Sequence, residues 1–182
     1  MTRFLNRIAG LPALVLLLAL IGFPVLALAG AADVPLTDFN GKPLKLGELV
    51  GGGKWTVVAV WASDCPICRA ELPQMDFFHS AHKGKDARVV GLSIDGYSGK
   101  RAAVKFIDDV GLEFPNYFVD VMDLFQIGAG QFIGTPTFYI FSPDGKPVGH
   151  QTGPLTQEQA EAFIARKSKA TKRADPQDKK PL

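Results

Sequence analysis

The sequence predicts one mixed α/β domain whose central sheet is covered on both faces, and three observations carry that prediction. Two uninterrupted β-branched and aromatic runs, "WTVVAVWA" (Trp55 to Ala62) and "ARVVGLSI" (Ala87 to Ile94), lack polar alternation and read as strands buried on both faces. Each is followed by a stretch with helical spacing. A hairpin signature and an amphipathic helix then close the chain, the order of a mixed sheet flanked by helices.

The elements follow in turn. "VPLTDFNGKPLKL" gives two short extended runs around Asn40-Gly41, a two-residue hairpin signal. "GELVGGGK" reads as a helical turn and a glycine loop. From Cys65 the pattern turns helical, with Leu72, Met75 and Phe78 on one face, and "KGKD" ends it near Lys83. "SGKRAAVKFIDDVG" is a second helix closed by Gly111. "FPNYFVD" is a short extended segment, and "VMDLFQI" a small helix. "TPTFYIFSPDGKPVGHQTG" is a hairpin turning at Pro-Asp-Gly, and "TQEQAEAFIARK" a last helix with Thr156 as N-cap and Glu158 in its first turn.

Three segments are expected along the chain: a leader over 1–29, a domain over 30–165 and a basic tail over 166–182. Arg3 and Arg7 precede an uncharged stretch from Ile8 to Ala32, and Ala27-Leu28-Ala29 fits a small-x-small cleavage site. The stretch fits a secretory signal peptide, and it is also long enough to stay as a membrane anchor through residues 8–29, since roughly 20 apolar residues suffice. Either fate places the domain outside the cytoplasm, in a periplasmic or other extracytoplasmic compartment that oxidises thiols. The tail carries seven Lys/Arg against two Asp, with almost nothing apolar, and reads as disordered. Residues 30–165 carry eleven Lys/Arg against sixteen Asp/Glu, an acidic balance that argues against a nucleic-acid partner.

Both cysteines of the chain lie in "WASDCPIC", as Cys65 and Cys68. A bridge between them closes too small a loop to constrain the unfolded chain much. A structural zinc site wants four ligands, and the three histidines supply no second pair: His79 and His82 read as a solvated helix surface and His150 as an exposed hairpin residue. A redox centre has a mechanism. At the junction of a buried strand and a helix, unpaired N–H groups and the helix dipole stabilise a Cys65 thiolate, the nucleophile. Cys68, one turn on, can then resolve a mixed disulfide. No cofactor beyond this dithiol pair is called for.

"WTVVAVWASDCPICRAELP" resembles the active-site segment of thioredoxin-fold proteins, especially the exported TlpA/ResA-like thiol-disulfide oxidoreductases. Trp61 stands four residues before the first cysteine and Pro73 five after the second. The "TDFNGKPLKLGEL" hairpin resembles the N-terminal addition of that family, and "GTPTFYIFSPDGKPVG" its cis-proline loop. The resemblance spans about Val34 to Ile164 and implies a thioredoxin-like fold, a cis Thr135-Pro136 bond facing the cysteines, and substrate contacts from Thr135, Pro136 and Trp61. It further implies reductase chemistry on cysteine-containing exported proteins, such as those of cytochrome c or copper-oxidase assembly, with a membrane thiol protein as electron donor. Two positions depart from the pattern. Asp64 stands where an aromatic is usual, and its carboxylate should oppose the Cys65 thiolate. Thioredoxin's buried acid corresponds to Ala59, and where ResA-like proteins place a glutamate after the second main strand, "DGYSGKR" offers Asp95 as the candidate proton-transfer group.

Two rival activities share the fold. A peroxiredoxin-like peroxidase needs a Pro-x-x-x-Thr/Ser-x-x-Cys loop, but Val58 and Ala62 occupy those places before Cys65. A copper chaperone would use the soft thiolates and a partner histidine, for which His150 is the candidate. Ile67 offers no polar group to Cys65. That argues against the oxidising end of the range of about −270 to −120 mV spanned by such motifs.

Overall fold

The computed structural model describes residues 30–174, so the expected leader (1–29) and the last eight residues lie outside the described part. Seven strands form one sheet: β1 (Pro35–Thr37), β2 (Pro43–Lys45), β3 (Trp55–Trp61), β4 (Ala87–Ser93), β5 (Asn116–Val119), β6 (Thr137–Phe141) and β7 (Pro147–Thr152). Their order is β2-β1-β5-β4-β3-β6-β7. β3, β4 and β5 run parallel, and every other pairing is antiparallel. Three α-helices complete the domain: α1 (Pro66–His82), α2 (Lys100–Val110) and α3 (Gln157–Ala174).

β3 lies inside the sheet between β4 and β6 and is buried at all seven positions, as its unbroken apolar run predicts. Its alternation divides the core. Val57, Ala59 and Trp61 face a layer built by Leu72, Met75 and Phe78 of α1, Phe106 of α2, and Ala160 and Ile164 of α3. Val58 and Val60 face a second layer with Leu46, Leu124, Ile127 and Tyr139. All three α-helices thus feed one layer, whereas the other is closed by 3-10 turns (Ala31–Asp33, Leu46–Glu48, Asp123–Ile127) and the N-terminal hairpin.

The structure corrects three local expectations. The β1–β2 connection is longer than a two-residue Asn-Gly turn. Asp38 N–H donates to the Lys42 carbonyl, Gly41 takes φ +85°, and the Asp38 carboxylate accepts from the N–H groups of Asn40 and Lys42. A side-chain acceptor at Asp38 therefore sets the loop length. The last helix does not end at Lys167, and the tail expected to be disordered from residue 166 is helical as far as Ala174. Lys, Arg and Ala favour helix there, and cations near a C-terminus suit the dipole.

The third correction concerns the histidines of α1. His79 is buried, and its Nδ1 accepts the Val89 N–H of β4 at 3.0 Å. Burial, then the neighbouring Lys83, pushes its pKa below the usual value. His82 stacks on Phe78 and stands between two carboxylates, Nδ1 2.9 Å from Asp86 and Nε2 3.2 Å from Glu161 of α3. Burial alone lowers its pKa, but the bonds and charges of Asp86 and Glu161 outweigh that and raise it.

Candidate active site

β3 delivers the chain to the sheet's C-terminal edge, where residues 62–64 turn and Cys65 caps α1. Its extended backbone (φ −90°, ψ 107°) and the following Pro66 at the first helical position make a stable helix start. The Cys65 Sγ accepts the N–H of Cys68 at 3.0 Å, so a free helix-start donor points at the sulfur. Cys65 and Cys68 form a disulfide with Cα atoms 5.2 Å apart. Cys65 is half-buried, while Cys68 is sealed among Ala59, Trp61 and Leu72 of the core layer. One sulfur faces solvent and the other does not.

The Thr135-Pro136 peptide is cis, and the Thr135 carbonyl oxygen lies 3.6 Å from the Cys65 Sγ. In the disulfide that approach is a contact; once reduced, a thiol proton can be donated to that oxygen. Around it, Pro66 and Ile67 are exposed, as is Ile133 two residues before Thr135. Asp64 is exposed as well, so water screens the carboxylate expected to oppose the thiolate.

Trp61, expected among the substrate contacts, is placed in the core. Its side chain is wholly buried, stacked on Phe106 with ring centroids 4.7 Å apart, and its Nε1–H donates to Asn116 Oδ1 at 3.0 Å. An indole four residues before the nucleophile is thus a fixed wall behind the motif. Asp95, the candidate proton-transfer group, stands beside the motif and is held by serines. Its carboxylate accepts from the N–H of Ser63 (3.1 and 3.2 Å), the Ser63 hydroxyl (2.8 Å) and the Ser93 hydroxyl (2.6 Å), and among the described hydrogen bonds it has none to a cysteine. It ties the turn carrying the cysteines to the end of β4. Helix spacing instead puts Glu71, half-buried and three residues after Cys68, on the Cys68 face of α1.

Sequence reasoning missed Ser63 and Asn116 because their partners are brought in by the sheet, and Ser93, two residues from its partner Asp95, because it sits inside an apolar strand run. The buried role of His79 did have a signal, since it lies seven residues after Leu72 and four after Met75. Among the described residues no group of three or more His, Cys, Asp or Glu side chains is placed to hold a metal. His150, the candidate copper partner, bonds instead to the backbone of the loop before Thr135.

The AhpC/TSA family model matches residues 29–148. The chain belongs to the AhpC/TSA family. Within it, the chain is similar to proteins named thiol-disulfide oxidoreductase ResA. That of Bacillus thuringiensis is 30% identical over 141 residues, covering 74% of each chain. That of Oceanobacillus iheyensis is 31% identical over 115 residues, 62% of this chain and 56% of the relative's length. Among solved structures, a putative thiol:disulfide interchange protein DsbE from Chlorobium tepidum aligns with TM-score 0.59 and 27% identity, over 78% of this chain and 94% of that one. StoA from Bacillus subtilis aligns with TM-score 0.58 and 24% identity, over 74% and 98%, and shares the thioredoxin-like fold. This AhpC/TSA member is accordingly a disulfide oxidoreductase of the ResA type, with a Cys-x-x-Cys pair at the start of α1.

Proposed function

We propose that this AhpC/TSA protein reduces disulfides in exported protein substrates from the extracytoplasmic side of a membrane. The observation that carries the reading is the division of labour between the two sulfurs: Cys65 half-exposed beside the Thr135 carbonyl, and Cys68 fully buried behind it. In the reduced protein the Cys65 thiolate attacks one sulfur of a substrate disulfide. A mixed disulfide forms and the other substrate sulfur leaves as a thiolate, which takes up a proton. Cys68, once deprotonated, attacks the Cys65 Sγ, releases the second substrate thiolate and restores the Cys65–Cys68 disulfide. Two electrons have passed to the substrate, and a membrane dithiol protein returns them by the same exchange in reverse.

Three features support protein substrates and export. Ile67, two residues after Cys65, and Ile133, two before Thr135, present exposed apolar side chains suited to a polypeptide flank. The Thr135 backbone is available to pair with an extended segment. The residues before Gly30 read as a leader in the sequence. Assembly of cytochrome c or copper-oxidase subunits is the process in which such a reductase would act.

The decisive test is trapping. Cys68→Ser should accumulate mixed disulfides through Cys65 with extracytoplasmic proteins, and Cys65→Ser should accumulate none. Equal capture by both variants would overturn the reading. The peroxidase alternative predicts peroxide consumption that requires Cys65 and no second protein; parity between wild type and Cys65→Ser would dismiss it.

A further inference from the structure

Residues 128–134 form a loop without helix or strand that runs straight into Thr135 and Pro136. Its grip on the domain comes from the last two strands, β6 and the outermost β7. β7 pairs with β6 in the register Thr137↔Thr152 and Tyr139↔His150, which puts His150 and Thr152 two residues apart on one face. The Nε2 of His150 lies 3.1 Å from the Gln131 carbonyl oxygen. A carbonyl only accepts, so Nε2 carries the proton and donates it. The imidazole also lies against Gly130. A side-chain carbon there would come within 2.6 Å of Nδ1, and the backbone has φ +146°, so only glycine lets the ring sit so close. Tyr139 supports the ring from behind, with centroids 5.4 Å apart.

A second tie lies one register step further on. The Thr137 hydroxyl donates to the Gly134 carbonyl at 2.6 Å. With that proton committed, the Thr137 oxygen accepts from the Thr152 hydroxyl, 3.1 Å away. The Gly153 N–H then holds the Pro136 carbonyl at 2.9 Å. The loop is fastened at Gln131 by His150 of β7, at Gly134 by Thr137 of β6 and at Pro136 by Gly153 just after β7, and these ties bracket Thr135.

We propose that His150 is a positioning residue for disulfide exchange, with Thr152 as its auxiliary. It fixes the loop so that the Thr135 backbone faces Cys65 at the moment a substrate segment docks. This rests on the exchange reading above, and adds that docking is tuned from an exposed side chain on an edge strand remote in sequence from both cysteines. Exposure of His150 separates this role from core packing.

The test is insulin reduction with dithiothreitol as electron donor, beside the rate of Cys65 alkylation by iodoacetamide in the reduced protein. His150→Ala should raise KM for insulin about fivefold, the worth of one hydrogen bond, with kcat and alkylation held within about twofold. His150→Gln, whose amide N–H reaches to where Nε2 stood, should bring KM back to within about twofold of wild type. An unchanged KM in His150→Ala, or equal impairment of the two variants, overturns the proposal. Hydrogen exchange of the oxidised protein separates the two levels. His150→Ala but not His150→Gln should speed exchange at residues 128–134 while leaving β3 protected, and unchanged exchange there overturns the positioning role. If wild type reduces no insulin, it is the exchange reading that fails, and the hydrogen-exchange arm still decides the role of His150.

Discussion

At its N-terminal end α1 presents a disulfide through one half-buried sulfur, whereas at its C-terminal end it buries His79 against β4 and holds His82 between Asp86 and Glu161. Both ends gather polar groups next to the core, yet to different effect. The start of the helix leaves a reactive atom accessible and aims a backbone N–H at it. The other end spends its side chains on fastening α1 to β4 and α3. The lesson is that chemistry and anchorage sit on one rigid rod and should respond to separate substitutions.

Cys65→Ser is the most severe way to sharpen that contrast. Dithiol-driven insulin reduction should fall about 1000-fold or more, as expected when a nucleophile is lost, while the urea midpoint matches that of reduced wild type. His79→Ala should do the reverse. Leaving the Val89 N–H without its acceptor and opening a cavity should cost about 2–3 kcal/mol in urea unfolding at pH 7.5, with activity per folded molecule retained. A large loss of activity without a loss of stability would break the contrast. Trp61→Phe lies between: losing the bond to Asn116 should cost about 1–2 kcal/mol, and the phenyl ring still backs the motif, so turnover should persist.

The smallest expected effect is the most diagnostic. His82→Gln should cost only about 0.5 kcal/mol at neutral pH, since its carboxylate partners are largely exposed. Its signature is pH dependence. The His79 pKa is lowered in the fold, so its contribution is complete above the ordinary value of 6.5 and is lost as pH falls from there toward the folded value. The His82 pKa is raised, so its contribution is complete below 6.5 and is lost as pH rises through the folded value. The two oppose each other in wild type. Urea midpoints of His82→Gln should therefore fall more steeply than those of wild type between pH 8 and pH 5.5. Parallel slopes would show that this end of α1 does not titrate as described.

Much of the architecture was legible because it is written in local periodicity. The apolar run of β3, the Gly111 stop of α2 and the Thr156 cap of α3, where Gln159 N–H donates to the Thr156 hydroxyl, need only near neighbours. Cys65 and Cys68 were legible for the same reason. What failed depends on partners that the chain brings together from afar. Asp95 meets Ser63 across 32 residues and His150 meets Gln131 across 19, and no spacing rule encodes either. The resemblance offered Trp61 as a substrate contact, and only the packing of β3 against α2 shows its ring stacked on Phe106 in the core. His79 and His82 looked solvated because polar side chains on a helix usually are, although the spacing from Leu72 and Met75 pointed inward.

The depth of Cys68 also has a consequence for the order of events in the proposed exchange. A partner joined to Cys65 covers the approach to the inner sulfur. Small thiols in solution can attack the outer linkage only by collision, whereas Cys68 already lies one helix turn away. A captured partner therefore leaves by ring closure whenever that step outruns attack by the thiols drifting past it.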